Sequence, residues 1–171
     1  MLLASIYRLT HKGVAEEDIP YYWKYSLWRV FTIPIRKWFS AAFIPYLPWN
    51  TVRILLYRLC GYKIGKNVFI GMRCYLDDKC YDLISIEDDV SISYGVFFAC
   101  HGKRQEHHSL TIRRGAYIGM RSSLLAKEDL VIGAEAVVGA MTLVNRSVGD
   151  GETVVGVPCR VVKSAEKEEN L

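Results

Sequence analysis

The chain has 171 residues, 51% of them apolar, and a formal net charge of +4, which suits one well-filled domain and is too short for two independent ones. The charge is small, no basic stripe is interleaved with aromatics, and no zinc-finger spacing occurs, so nucleic acid is excluded as the expected partner. Cys60, Cys74, Cys80, Cys100 and Cys159 form an odd set without a C-x-x-C pair. They read as reduced, mostly buried thiols of a cytoplasmic protein whose N-terminus lacks a signal-peptide pattern.

Residues 1–62 read as a helical, basic and aromatic segment. From 19 to 76 there is no Asp or Glu, yet Lys24, Arg29, Arg36, Lys37, Arg53, Arg58, Lys63, Lys66 and Arg73 are present, with all four tryptophans. A helix is predicted from about Tyr21 to Ile33, ended by Pro34. The uncharged stretch Phe39–Val52 contains Pro45 and Pro48 and falls short of the ~20 apolar residues that span a bilayer. A second helix is predicted over Thr51–Cys60, with Asn50 as N-cap and Gly61 as its C-terminal stop. Two roles fit this segment: plugging the open end of the structure that follows, or resting residues 20–60 on anionic headgroups as a peripheral contact at the inner membrane face.

From Ile64 an apolar residue recurs every six positions: Ile64, Ile70, Leu76, then Ile86, Ile92, Phe98, then Ile112, Ile118, Leu124, then Ile132, Val138, Val144. Four places after most of them stands a small or β-branched residue, including Val68, Cys74, Val90, Val96, Ala116, Ser122, Ala136 and Thr142. A helix would repeat at three and four, and a half-buried strand at two. Period six fits a short strand and a turn, three of which make a triangular coil. The three longer steps all follow a third hexad, so every insertion leaves at the same corner of about four stacked coils spanning 63–158, the longest being a loop at 102–111. Glycines beside the anchors are expected to ease the corners, and 159–171 reads as a tail.

His101, His107 and His108 sit at or inside that longest loop, and histidine can accept a proton from an alcohol near neutral pH. His101 stands where the loop departs. Alone, His107 and His108 read as solvated side chains or as contacts to an acceptor. Cys100 invites reading as a nucleophile, although direct transfer between two bound substrates needs none.

The pairs Ile64-Gly65, Ile70-Gly71, Ile118-Gly119, Ile132-Gly133 and Val138-Gly139 resemble the signature of the hexapeptide-repeat acyltransferase superfamily, which implies a left-handed parallel β-helix. The stretch from Ile92 to His101, followed by a loop and Ile112, is similar to galactoside, maltose and related sugar O-acetyltransferases. That resemblance makes His101 the general base, with Ser122 or a backbone N–H as oxyanion donor. Val138–Arg146 followed by Gly156–Lys163 matches the same family's acetyl-coenzyme A segment. It implies Gly139 and Ala140 beside the pantetheine arm, Asn145 and Arg146 along its groove, and Arg160 and Lys163 on the nucleotide phosphates, which suits the donor geometry of Arg and Lys. The expected protein is a homotrimer acetylating a hydroxyl of a saccharide, of a cell-envelope polysaccharide or its lipid-linked precursor, with no metal. Competing readings are an N-acetyltransferase of a nucleotide-linked amino sugar, a noncatalytic assembly subunit, and a γ-type carbonic anhydrase. The last would need His ligands from neighbouring coils, and only one coil supplies them.

Overall fold

The computed structural model describes residues 7, 9–11, 27–102 and 106–164. The chain divides into two compact units, Met1–Phe39 and Ser40–Leu171. In the first, helix α1 (Leu27–Trp38) runs through Pro34 rather than ending before it. Pro34 lies in the eighth place of the helix, where its missing N–H and ring remove one bond without stopping the following turn. Residues 21–26, the predicted start of this helix, lie outside the described residues. The chain continues as a wide helical turn at Phe39–Phe43 and a tight one at Ile44–Tyr46. Among the described residues no helix is long and apolar enough to cross a membrane.

The second unit is a left-handed parallel β-helix with three faces. The first face stacks β1 (Lys63–Ile64), β3 (Ile84–Ile86), β6 (Leu110–Ile112) and β9 (Leu130–Ile132). The second stacks β2 (Phe69–Ile70), β4 (Ser91–Ile92), β7 (Tyr117–Ile118), β10 (Val137–Val138) and β12 (Thr153–Val155), and the third stacks β5 (Phe97–Ala99), β8 (Ser123–Leu125) and β11 (Leu143–Val144). Anchors pair in register, Ile70 with Ile92 and Ile92 with Ile118, and Phe98 with Leu124. Every hexad anchor except the half-buried Ile64 is buried, as are the small residues four places on. The insertions all leave between the third face and the first.

Strand β13 (Arg160–Lys163) folds back antiparallel on β12, so the segment expected as a tail begins as a strand. The long insertion closes sooner than 111, because Leu110 already pairs with Ile84 and Leu130.

The corners correct one expectation. The left-handed backbone falls three places after each anchor on the first two faces, at Asn67, Arg73, Asp89, Gly95, Gly115, Arg121, Glu135 and Met141, where φ runs from 52° to 70°. Only two of these are glycines. The glycine next to an anchor serves another purpose: a Cβ on Gly119 would lie 2.6 Å from the backbone N of Ala140 in the next coil. That recurring glycine admits the neighbouring coil's backbone, as only a residue without Cβ can.

Helix α2 (Asn50–Leu59) closes the open first coil. Asn50 is its first helical residue, preceded by an extended Trp49, and its side chain does not cap the helix. Instead its amide mimics a strand, Nδ2 donating to Val68 O at 3.0 Å and Oδ1 accepting from Ile70 N at 3.0 Å. Buried Arg53 donates to Ile70 O through Nε at 3.1 Å and Nη2 at 2.6 Å, and to Leu47 O through Nη1. Arg58 donates to Ile64 O at 3.0 Å and to Gly65 O. Orphan groups of the terminal strands thus find side-chain partners, as buried backbone must. Gly61, at φ +100°, ends the helix as expected.

Candidate active site

His101 lies where the second coil's insertion leaves β5. Its neighbour Cys100 is fully buried, and Cys100 O accepts from His108 N at 2.9 Å. Gly102 N donates to Glu106 O at 2.9 Å, and His101 bridges antiparallel to His107. The loop is therefore held together at its root, and residues 103–105 lie outside the described residues.

The residue that sequence reasoning missed is Asp77. Tyr75 pairs with Phe97, so Asp77, two places on at the first insertion, sits one rung from Cys100 and His101. Its Oδ2 stands 2.5 Å from His101 Nδ1 and accepts from Cys100 N at 2.8 Å, while Oδ1 accepts from Lys79 N at 3.1 Å. Asp77 is wholly buried, whereas 35% of the His101 side chain is exposed. A carboxylate already accepting two backbone N–H groups is an acceptor toward the ring too. In the neutral ring this assigns the proton to His101 Nδ1 and leaves Nε2 as the acceptor.

The pair opens on a cleft of about 410 Å³. Ala99, Leu125 and Ala126 supply apolar walls, and Glu106, His108 and Lys127 supply polar groups. Among the described residues, His108 Nε2 is buried without a hydrogen-bond partner. His107 is exposed and does not line the cleft. The nucleophile reading of Cys100 fails on geometry and chemistry: burial, then the Asp77 charge, push its thiol up to about 12. Ser122 fails as oxyanion donor, since it is buried at another corner with its hydroxyl held between Gly119 O at 2.7 Å and Gly139 O at 2.9 Å.

The residues expected to hold a coenzyme fall into two groups. Asn145, half-buried, and exposed Arg146 lie at the insertion corner, two rungs beyond His101, or about 10 Å at strand spacing. Gly139 and exposed Ala140 lie at the corner between the second and third faces, next to exposed Met120 and Met141. Arg160 and Lys163 are exposed on β13 at the end of the second face. One chain does not gather the two groups into one cleft with His101. Arg146, Arg160 and Lys163 are all exposed.

No family model matches the chain. It is 35% identical over 143 residues to a serine acetyltransferase of Buchnera aphidicola, covering 75% of this chain and 51% of that protein. The chain spans about half the length of the curated serine acetyltransferases it matches. Among solved structures, it superposes on a hexapeptide-repeat-containing acetyltransferase of Vibrio cholerae, complexed with acetyl coenzyme A, with a TM-score of 0.66 and 21% identity, over 81% of this chain and 90% of that one. A serine acetyltransferase of Neisseria gonorrhoeae gives a TM-score of 0.55 at 22% identity, over 71% and 52%. At such identities the superpositions establish the fold.

Proposed function

Because this chain belongs to the hexapeptide-repeat acyltransferase superfamily, we propose that it transfers an acetyl group from acetyl-coenzyme A to a hydroxyl of a saccharide acceptor. The observation that carries this reading is the buried Asp77 set 2.5 Å from His101 at the mouth of a cleft. Asp77 fixes the ring so that Nε2 takes the acceptor's proton as its oxygen attacks the thioester carbonyl. The tetrahedral intermediate collapses by breaking the carbon–sulfur bond, and the proton on Nε2 passes to the departing thiolate. No bond to the protein forms.

Glu106, Lys127 and the His108 ring would hold the acceptor's other polar groups, and the apolar wall suits a sugar ring's carbon face. Arg160 and Lys163 would grip the nucleotide phosphates, and Asn145 and Arg146 would line the pantetheine path. Their separation on one prism supports a homotrimer, in which one protomer's second face meets the insertion corner of the next. The acceptor would be a cell-envelope polysaccharide or its precursor, met by a cytoplasmic protein lying at the membrane.

A second acceptor, a small hydroxy amino acid, is favoured by the curated relatives that are serine acetyltransferases. One experiment separates the readings: release of coenzyme A thiol is followed with acetyl-coenzyme A and a panel of saccharides, amino sugars and serine. A saccharide giving the highest kcat/KM supports the first, and serine exceeding every sugar replaces it. A stable, active monomer in light scattering would refute the trimer.

A further inference from the structure

The first insertion brings a third group beside the pair. Asp77, Cys80 and His101 each offer one ligand atom within 4.8 Å of the other two. Asp77 and Cys80 are fully buried, and His101 opens on the cleft. One carboxylate oxygen, one sulfur and one imidazole nitrogen are the mixture that zinc-like ions take, whereas calcium and magnesium require more oxygens. Bonds of about 2.0–2.3 Å around a tetrahedral ion separate neighbouring ligand atoms by roughly 3.5 Å. The Asp77–His101 contact must then open by about 1 Å and the sulfur close in, a movement that side-chain rotation supplies.

We propose that Asp77, Cys80 and His101 form an inhibitory site for a zinc-class divalent cation, which enters through the cleft and switches off the base. The proposal rests on His101 being that base. The ion takes the Nδ1 lone pair, and the proton formerly on Nδ1 moves to Nε2. Cys80 gives its proton to solvent, so that one carboxylate and one thiolate balance the two positive charges. A ring carrying its proton on Nε2 can donate but cannot accept, and the acceptor hydroxyl keeps its proton. Cys80 makes no contact that the transfer needs, so it can be changed without touching the base.

The test uses the full chain, stripped with a chelator and titrated with Co²⁺ as a spectroscopic probe, then with Zn²⁺. Native protein should bind one ion, show a sulfur-to-cobalt charge-transfer band, and lose acetyl transfer as Zn²⁺ is added. Cys80→Ser should lose the band and weaken Zn²⁺ binding by at least about tenfold, the loss found even for partners outside the ligand shell. Its turnover without added metal should be unchanged and should resist Zn²⁺. A cobalt spectrum of the native protein without the sulfur band overturns the site, whether or not the variant folds. Equal Zn²⁺ affinity in Cys80→Ser overturns it too. Loss of turnover on chelation would mean that the metal serves the reaction, which refutes inhibition. If no acceptor supports turnover, the acetyl-transfer reading fails while the cobalt and zinc binding measurements still decide the site.

Discussion

Asp77→Asn changes one buried atom and should disable the site through the histidine tautomer. The native carboxylate accepts three N–H groups, from His101 and Cys100 at Oδ2 and from Lys79 at Oδ1. An amide has one acceptor oxygen. If that oxygen faces His101 and Cys100, its NH₂ confronts Lys79 N–H, and one buried donor pair is left unsatisfied, at about 1–3 kcal/mol. If it faces Lys79, the NH₂ points at Nδ1, which must then accept, so the proton moves to Nε2 and the base is lost. Both orientations lower stability, since the second sets the NH₂ against Cys100 N–H, and the second also lowers kcat by ~10²–10⁴. For a chain of this length the stability cost lowers Tm by about 2–4 °C per kcal/mol. Thiol release from acetyl-coenzyme A, measured with the best acceptor beside a thermal melt, reads both. The expected result is a collapse of kcat with the affinity for acetyl-coenzyme A retained. A folded variant whose kcat lies within about threefold of wild type and whose Tm is unchanged would refute the orienting role.

His101→Ala should reduce turnover by ~10²–10⁴ while leaving oligomer mass intact, whereas His108→Ala should raise the acceptor KM and His107→Ala should change little; a severe kcat loss in either neighbour with normal His101→Ala turnover would move the base into the loop. The double variant Arg160→Ala/Lys163→Ala should weaken acetyl-coenzyme A binding in calorimetry without lowering Tm, since both side chains are exposed, and unchanged affinity would remove them from the phosphate site. Arg53→Met should destabilise the unit by about 2–4 kcal/mol in urea unfolding, because Ile70 O and Leu47 O lose their donors; a loss below about 0.5 kcal/mol would show that water replaces the guanidinium. Sedimentation with anionic vesicles at low salt tests the peripheral contact: Leu55→Ser/Leu59→Ser, on the exposed side of α2, should reduce binding, and a wild-type chain that stays in the supernatant refutes it.

The coils were legible because period six records a packing constraint that each rung repeats. Phe98 stacks on Leu124 for the same reason that Ile92 stacks on Ile118, so one pattern fixed strands, faces and the common exit of the insertions. Local signals failed where tertiary partners outbid them. Asn50 has the composition of an N-cap, yet an open strand edge offers it two bonds where the helix offers one. Pro34 ended a helix on propensity grounds, but propensity is a weak prior once neighbouring turns hold. The recurring glycines were visible, and their purpose was not, because close approach of Gly119 to Ala140 is a relation between coils rather than a local conformation.

The site shows the same division between what repeats and what does not. His101 was marked by its place before the longest insertion, a position counted along the chain. Asp77 belongs to a different insertion, and its distance from His101 depends on how two irregular loops leave one corner; the only sequence signal was an acidic residue directly after anchor Leu76, one rung away. The coenzyme residues raise the same problem at a larger scale. Ala140 and Arg160 sit around the second face while Arg146 shares the corner of His101, and no register inside one prism can bring those edges together. A threefold arrangement can, because it sets one prism's second face beside another's insertion corner without bending either. On the proposed trimer, rigid coils hold His101 and the proposed phosphate contacts apart, and the groove between them becomes a property of that assembly. Substitutions at exposed Met120 and Met141, which flank Ala140 on that edge, should therefore alter acetyl-coenzyme A affinity and trimer stability together.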